Sequence, residues 1–266
     1  MKYCRFLLNG QDHYGLVESV AGNQTIVRIL ASPPEEADGD MESLRTRKIE
    51  QIPLSEATLL PPVRPSKIVC IGRNYRAHAA ELGHEIPQEP LLFLKAPSAL
   101  LPSGGVIRRP QLSQRVDYEG ELGVVIGKKC YQPAPDEDIR PYILGYTCVN
   151  DVTARDLQNK DGQWSRAKGF DTFCPVGPMV VQEIDPWAGI DVETRVNGSV
   201  RQKGNTRDLI FQLDVVIRHI AQAMTLYPGD LIPTGTPEGV GPLAAGDVVE
   251  IKVEGVGTLR NPVVDE

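Results

Sequence analysis

The density of turn-forming residues constrains the fold of this chain more than any other feature of its sequence. Its 266 residues include 25 glycines and 22 prolines, which follow no periodic repeat. They divide the chain into short strand-like stretches, without a regular alternation of strands and helices. A doubly wound sheet and an eight-stranded α/β barrel are therefore disfavoured. The sequence predicts a β-dominated α+β fold.

The first sixty or so residues are predicted to form a separate small β domain. Strand-like stretches at 3–8, 13–20 and 25–30 are joined by Asn9-Gly10 and by a turn at 21–23. Residues 32–42 combine acidic side chains with two prolines, which predicts a solvated loop without function. Because a stiff, proline-rich stretch at 61–65 precedes the next strand, we expect two domains, 1–65 and 66–266.

The second domain is predicted to consist mostly of strands, with two helices. The strands are expected within 67–71, 116–126, 143–150, 179–182, 191–196 and a ribbon at 248–264 that turns at 255–257. The apolar spacing predicts one long helix over 207–225, with Thr206 as its N-cap and Pro228-Gly229 after its end. A shorter helix is predicted from Tyr75 to Leu82, closed by Gly83.

Charge and composition exclude several classes of partner. Lys and Arg number 28 against 35 Asp and Glu, for a net charge of -7 without a basic cluster, so nucleic acid is not an expected partner. The apolar runs are shorter than the roughly 20 residues of a membrane span, and the N-terminus lacks the core of a signal peptide, so we expect a soluble, cytoplasmic protein. The five cysteines form no C-x-x-C pair, which argues against a disulfide framework and a thiolate zinc site.

The most informative segment is Asp117-Tyr118-Glu119-Gly120-Glu121, which opens an apolar strand. Residues two apart on a strand point to the same face, so Glu119 and Glu121 project together, while Gly120 is expected to leave the opposite face open. One interpretation is a solvated strand face, since most acidic side chains are exposed. The other is a pair of buried carboxylates that needs a cation.

Asp151 ends a second apolar strand, 143–150, and is the third candidate carboxylate. Taken alone, it is equally consistent with a cap for a turn at 153–158. If it joins Glu119 and Glu121, the three make an oxygen-only site of charge -3, which suits Mg²⁺ or Mn²⁺ better than Zn²⁺.

His78 and Glu81 lie three residues apart on the predicted short helix, so they share a face. Glu81 could then polarise the imidazole and let it take a proton from water. The alternative is an incidental pair on a surface helix. Gly72 and Gly83 bracket the segment, which is consistent with a mobile lid over residues 74–84.

Two further candidates lie later in the chain. The glycine-bearing loop at 235–241 could present backbone N–H groups and the Thr236 hydroxyl to an anion, although it lacks the Lys-Ser/Thr of a nucleotide P-loop. Lys168 stands among small and aromatic residues and could be a partly buried ammonium beside developing negative charge. Alone, it also fits an ordinary exposed lysine.

Together these segments resemble the fumarylacetoacetate hydrolase family, in the bacterial branch with a small N-terminal domain. The stretches that carry the resemblance are IVCIGRNYRAHAAELG, PLLFLKAPSALLPSG, VDYEGELGVVIGK, ILGYTCVNDVTARDLQ, WSRAKGFDTFCPVGP and GDLIPTGTPEGVGPL. The resemblance implies a mixed β-roll catalytic domain, a homodimer, and Mg²⁺ or Mn²⁺ held by Glu119, Glu121 and Asp151. It further implies that His78 and Glu81 activate water, that Lys168 lies near the metal, and that the substrate contacts are Gln158, Thr236, Arg73 and Tyr75.

The expected activity is hydrolysis of a C–C bond in a 2,4-dioxo acid, such as an acylpyruvate or a fumarylpyruvate-like compound, to a 2-oxo acid and a carboxylic acid. Family resemblance alone does not separate this from oxaloacetate decarboxylation or from isomerisation of a 2-hydroxy-diene-dioate. A dimeric metal-binding domain without turnover is the alternative of a different class.

Overall fold

The computed structural model describes residues 1–81 and 85–266. The strands of this part are β1 (Lys2–Leu8), β2 (Gln11–Val20), β3 (Asn23–Leu30), β4 (Thr46–Pro53), β5 (Leu59–Leu60), β6 (Ile68–Gly72), β7 (Leu91–Lys95), β8 (Leu100–Pro102), β9 (Ile107–Arg109), β10 (Val116–Tyr118), β11 (Gly120–Ile126), β12 (Ile143–Asn150), β13 (Thr153–Ala154), β14 (Cys174–Val181), β15 (Asp191–Val196), β16 (Ser199–Asn205), β17 (Leu231–Pro233), β18 (Gly241–Pro242), β19 (Val248–Val253) and β20 (Gly257–Asp265). The α-helices are α1 (Arg76–Glu81), α2 (Arg155–Asp161), α3 (Ser165–Lys168) and α4 (Leu213–Ala223). The predicted β-dominated α+β fold is confirmed.

A large mixed sheet forms the centre of the molecule. Its strands follow the order β4-β3-β2-β1-β14-β12-β11-β17-β6-β7, with β5 beside β1 and β8 beside β14. A five-stranded sheet, β16-β15-β19-β20-β9, packs against β11, β12 and β14. Every residue of β11 and of β14 is buried, because these strands are covered on both faces. A three-stranded sheet, β13-β10-β18, lies beside them.

The N-terminal strands are present as predicted, and they continue the central sheet. Tyr3 of β1 pairs with Val180 of β14, and one apolar cluster joins Tyr3 and Leu30 to Ile68 and Val180. Val63, in the proline-rich stretch, is itself buried. The division into two domains at residue 65 stays a prediction. Apolar packing continues across this position in the structure.

Two local predictions are wrong. The long helix begins at Leu213 and is preceded by a 3-10 turn at Thr206–Asp208. Thr206 does not cap it, because its hydroxyl donates to Pro186 O at 2.6 Å and accepts from Ile190 N at 2.9 Å, which fixes the entry to β15. The acidic stretch at 32–42 is not wholly solvated either, since it forms two 3-10 turns around a buried Met41.

The remaining predictions concern the short helix, the cysteines and membrane spans. Helix α1 ends at Glu81 in the part described, and the predicted end at Leu82 and Gly83 lies outside the described residues. All five cysteines are buried and free. Within residues 1–81 and 85–266, no helix has the length and apolar character needed to cross a bilayer.

Candidate active site

The three acidic residues meet where strand β10 gives way to strand β11. Glu119 is the residue between them, and its backbone N–H donates to the Asn150 side chain at 2.9 Å, while its carbonyl accepts from the Asp151 N–H at 2.8 Å. Gly120 pairs with Asn150, so the end of β12 places Asp151 directly beside Glu119. The pairing of β11 with β12 therefore brings Asp151 to the two glutamates, although it lies far from them in sequence.

The expectation that Gly120 leaves the opposite face of the strand open is wrong. A Cβ on this residue would lie 2.1 Å from Thr194 Oγ1 and 3.0 Å from Ile251 Cδ1, because the five-stranded sheet packs against it. Glycine is therefore required for close approach of the two sheets, and the acidic side chains occupy the face away from this contact.

Glu119, Glu121 and Asp151 are all buried, with ligand oxygens within 4.8 Å of one another. The interpretation as a solvated strand face is thereby excluded. Asp151 does not cap a helix either, because α2 begins only at Arg155 and has no side-chain cap. Three buried carboxylates in a volume this small require positive charge close by.

Part of that charge comes from two buried lysines. Lys168 Nζ donates to Glu119 Oε2 at 2.8 Å and to Asp151 Oδ2 at 2.5 Å. Lys95 Nζ donates to Asp151 Oδ1 at 2.6 Å and to the Val152 carbonyl at 3.1 Å. Although burial alone would lower the pKa of Lys168, the charges of Asp151 and Glu119 hold it above its ordinary value. Lys168 is therefore a buried ammonium at the site and not an exposed lysine.

Two arginines extend the network outward from Glu119. Arg155 donates through Nη2 to Glu119 Oε1, through Nε to Asp117 Oδ2 at 3.0 Å, and through Nη1 to Gln158 Oε1 at 2.6 Å. Arg115 Nε donates to the other oxygen of Asp117 at 2.9 Å. The result is an unbroken chain of alternating charge from the rim of the site to its interior, in the order Arg115, Asp117, Arg155, Glu119, Lys168, Asp151 and Lys95.

Glu121 stands outside this alternating chain. Its Oε2 accepts from the Gly235 N–H at 2.7 Å, and it makes no ion pair with any residue that the structure describes. Burial, Asp151 and Glu119 together raise the pKa of Glu121 well above its ordinary value. For Glu119, by contrast, the charges of Lys168 and Arg155 outweigh burial and hold the pKa below its usual range. A divalent cation fits this donor set, because it would compensate Glu121, the one carboxylate of the triad that has no cationic partner among the described residues.

The His78–Glu81 pair lies at the same site. His78 is buried, and its Nδ1 lies 3.4 Å from Glu81 Oε2. Both oxygens of Glu81 accept from the Gly239 N–H at 3.1 Å, which ties α1 to the glycine-bearing loop. The pair is therefore not incidental on a surface helix. The loop does present N–H groups to anions, but the anions are carboxylates of the protein itself, Glu81 and Glu121.

One cavity of about 410 Å³ collects these groups, and of the predicted site residues all but Glu81 and Tyr75 line it. Gln158 faces it with its carbonyl oxygen bound by Arg155. The Thr236 hydroxyl donates to Gly120 O at 2.9 Å and accepts from Gln202, so its proton is committed to the protein. Tyr75 is buried and instead lines a smaller, second cavity with Arg76 and Lys203.

Sequence reasoning missed the residues that neutralise the site. These are Lys95, Arg115 and Arg155, together with the fully buried Asp117, which holds the two arginines in place. A lysine that ends the apolar stretch Leu91–Lys95 was a usable signal, because an ammonium at a buried position needs a carboxylate partner. Nothing in the local sequence indicates that Arg155 lies near Glu119, since the contact depends on how β10 and β13 pair.

Comparison with known proteins shows what this arrangement resembles. Residues 67–264 match the family model described as fumarylacetoacetate (FAA) hydrolase, C-terminal, and residues 1–62 match Rv2993c-like, N-terminal. An uncharacterized protein of Methanocaldococcus jannaschii is 54% identical over 213 residues, which is 80% of this chain and 89% of that protein.

Two relatives have named activities. A 2,4-didehydro-3-deoxy-L-rhamnonate hydrolase of Sphingomonas sp. is 39% identical and covers 99% of this chain and 96% of its own length. The oxaloacetate tautomerase YisK of Bacillus subtilis is 43% identical and covers 79% of this chain and 74% of its own length.

Solved structures give the same comparison. A 5-carboxymethyl-2-hydroxymuconate delta-isomerase from Mycobacterium smegmatis superposes with a TM-score of 0.89 at 40% identity, covering 100% of both chains. A fumarylpyruvate hydrolase from Pseudomonas aeruginosa, solved with Mn²⁺ and pyruvate, has a TM-score of 0.70 at 32% identity, covering 77% of this chain and 91% of its own.

Proposed function

The chain belongs to the fumarylacetoacetate hydrolase family, and we propose that it hydrolyses a C–C bond in a 2,4-dioxo acid, releasing a 2-oxo acid and a carboxylic acid. The observation that supports this most directly is the buried His78 imidazole, paired with Glu81, in the same cavity as the carboxylate triad. Hydrolysis needs a base for water beside a site that stabilises an enolate, and this cavity holds groups for both.

Glu119, Glu121 and Asp151 would hold Mg²⁺ or Mn²⁺. When bound, the ion would supply a Lewis acid that a 2-oxo acid can chelate and whose charge favours the enolate form.

The protein's own groups supply the proton transfers. His78, with Glu81 behind it, takes a proton from water, and the hydroxide adds to the C4 carbonyl of the substrate. The C3–C4 bond then breaks, and its electron pair passes to the enolate of the 2-oxo acid, where the Lys168 ammonium offsets the negative charge. The proton taken from water passes to C3 and completes the 2-oxo acid, and C4 leaves as the new carboxylic acid.

A second candidate is tautomerisation or decarboxylation of oxaloacetate at the same site. The similarity to the B. subtilis oxaloacetate tautomerase favours it, and both reactions pass through an enolate without water. Isomerisation of a 2-hydroxy-diene-dioate would pass through a dienolate that the same groups would stabilise. We include a homodimer in the proposal, because the sequence resemblance implies one, and light scattering in solution tests it.

The His78→Ala variant separates hydrolysis from the alternatives. Acylpyruvate cleavage should fall by about 10²–10⁴-fold, since the base is lost, while any oxaloacetate decarboxylation should fall less. Lys168→Ala should depress both, because both need the enolate. The measurement is kcat/KM on acetylpyruvate, fumarylpyruvate and oxaloacetate with titrated Mg²⁺ or Mn²⁺.

His13→Ala is the matched control, because this histidine lies on β2 and does not line the cavity. An equal loss of both activities in His78→Ala would assign the imidazole to enolate protonation and remove the main support for a hydrolase. If the wild-type protein turns over none of these substrates and no 2-hydroxy-diene-dioate, the alternative of a metal-binding domain without turnover is favoured.

A further inference from the structure

Arg115 lies at the cavity rim with donors that the protein does not use. Its Nε is bound to Asp117, but its two terminal nitrogens make no hydrogen bond to any residue that the structure describes. The side chain is 53% exposed and lines the cavity. The guanidinium is therefore fixed at one nitrogen by a buried carboxylate, and its terminal pair of donors remains available to a ligand.

The other cations of the alternating chain do not have this freedom. Arg155 uses all three nitrogens on Asp117, Glu119 and Gln158. Lys168 and Lys95 are buried and spend their hydrogen bonds on Asp151, Glu119 and the Val152 carbonyl. Among the described residues that line the cavity, Arg73 is the only other arginine whose guanidinium is free. Its Cζ lies 5.9 Å from the centroid of the Trp164 ring.

The formal charge of the site favours a ligand with two negative charges. The alternating chain carries four cations and three carboxylates, and Glu121 is the fourth carboxylate. These charges cancel. A divalent cation at the triad, together with the Arg73 guanidinium that also lines the cavity, then leaves a net positive charge, which a dicarboxylate neutralises more completely than a monocarboxylate.

We propose that Arg115 binds a second carboxylate of the substrate, distal to its 2-oxo acid group, and so selects dicarboxylates over monocarboxylates. The inference rests on the proposed function only in placing the 2-oxo acid end at Glu119, Glu121 and Asp151. Arg115 precedes Glu119 by four residues, about 13 Å of extended chain, and its Nε reaches Asp117, which is two residues nearer to Glu119. The diacid that fits is therefore tested as a series of five to seven carbons, which leaves out the candidate substrate oxaloacetate.

Binding of ligands that lack a 4-oxo group tests this without turnover. In the presence of Mg²⁺, calorimetry compares 2-oxo diacids with 2-oxo monoacids of equal chain length, for example 2-oxoglutarate with 2-oxopentanoate. Wild-type protein should bind the best-fitting diacid about 10- to 100-fold more tightly than its monoacid, as expected for one charge-assisted bidentate contact.

Variants assign that preference to a residue. Arg115→Gln should reduce the diacid-to-monoacid ratio of binding constants at least tenfold, and Arg115→Lys, which keeps the charge but not the paired donors, should give an intermediate ratio. Arg195→Gln is the matched control, since Arg195 is partly exposed, binds Glu193 through Nε in the same way and does not line the cavity. Its ratio should equal that of the wild type.

The outcomes separate this inference from the proposed hydrolysis. Equal binding of diacid and monoacid by the wild type overturns the role of Arg115, as does a preference that survives in Arg115→Gln or is lost only in Arg73→Gln. Diacid preference without cleavage of any 2,4-dioxo acid overturns the hydrolase and leaves the assignment of Arg115 intact. If Arg115→Gln does not fold, the diacid-to-monoacid ratios of the wild type and of Arg115→Lys still show whether the preference depends on Arg115.

Discussion

Glu121 differs from the other carboxylates of the triad because no cation of the described protein pairs with it. Its pKa is raised in the folded chain, chiefly by burial, so the metal-free folded state binds a proton more readily than the unfolded state. Without metal, the free energy of unfolding should therefore fall as pH rises above the unfolded value of about 4.3. Glu119, whose pKa is lowered, contributes its pH dependence below that value.

Glu121→Gln should accordingly stabilise the metal-free protein at pH 8 and reduce the decline of stability between pH 5 and pH 8. It should also remove most of the stabilisation that Mg²⁺ or Mn²⁺ gives the wild type. Thermal unfolding with chelator and with added metal measures both effects, and Glu18→Gln, at an exposed position on β2, is the control. A metal-induced rise in midpoint that persists in Glu121→Gln contradicts Glu121 as a ligand.

The site residues that the sequence predicts differ physically from those that it does not. Glu119, Glu121 and His78 could be proposed because polar groups at strand and helix periodicity share a face with their neighbours in sequence. Arg155 could not, because it is defined by the carboxylate that another strand brings to it. For Lys95 the sequence held the signal of an ammonium that ends an apolar strand, but not the identity of its partner, Asp151. Arg115 has no unusual sequence context, and only its free donors at the cavity distinguish it.

Among the elements, strand β11 depends on the five-stranded sheet behind it. Thr194 Oγ1 is buried without a hydrogen-bond partner and lies 2.1 Å from where a Gly120 Cβ would be. Gly120→Ala should therefore destabilise the protein by about 1–3 kcal/mol through overpacking. Combined with Thr194→Ala, which removes the contact, it should cost clearly less than the sum of the two single changes.

Unfolding midpoints of the four proteins in this double-mutant cycle measure the coupling. Strictly additive changes would show that the cost of Gly120→Ala does not come from the contact with Thr194. The strands themselves were predictable from their apolar, β-branched composition. The start of α4 was not, because tertiary bonds to Pro186 and Ile190 use the hydroxyl that local sequence assigns to a cap.

At the scale of the whole molecule, the question is whether the two predicted domains unfold independently. The proline-rich stretch at 61–65 predicts a boundary between them. The apolar packing that the two parts share depends on the three-dimensional fold and could not be predicted from the sequence. Phe6 of β1 belongs to a cluster that includes Leu122 and Val181 on central strands of the large sheet. Burial of such a cluster across a boundary couples the two parts in one unfolding unit.

We therefore expect one calorimetric transition for the full chain, shifted as a whole when Mg²⁺ and oxalate bind at the triad. Phe6→Ala should cost about 3–5 kcal/mol and lower that same transition, because it leaves a cavity within the shared cluster. Leu7→Ala is the matched control, since the neighbouring side chain is 39% exposed. If Phe6→Ala instead produces a separate early transition, with the ligand-sensitive one unmoved, the N-terminal strands unfold independently despite the continuous sheet.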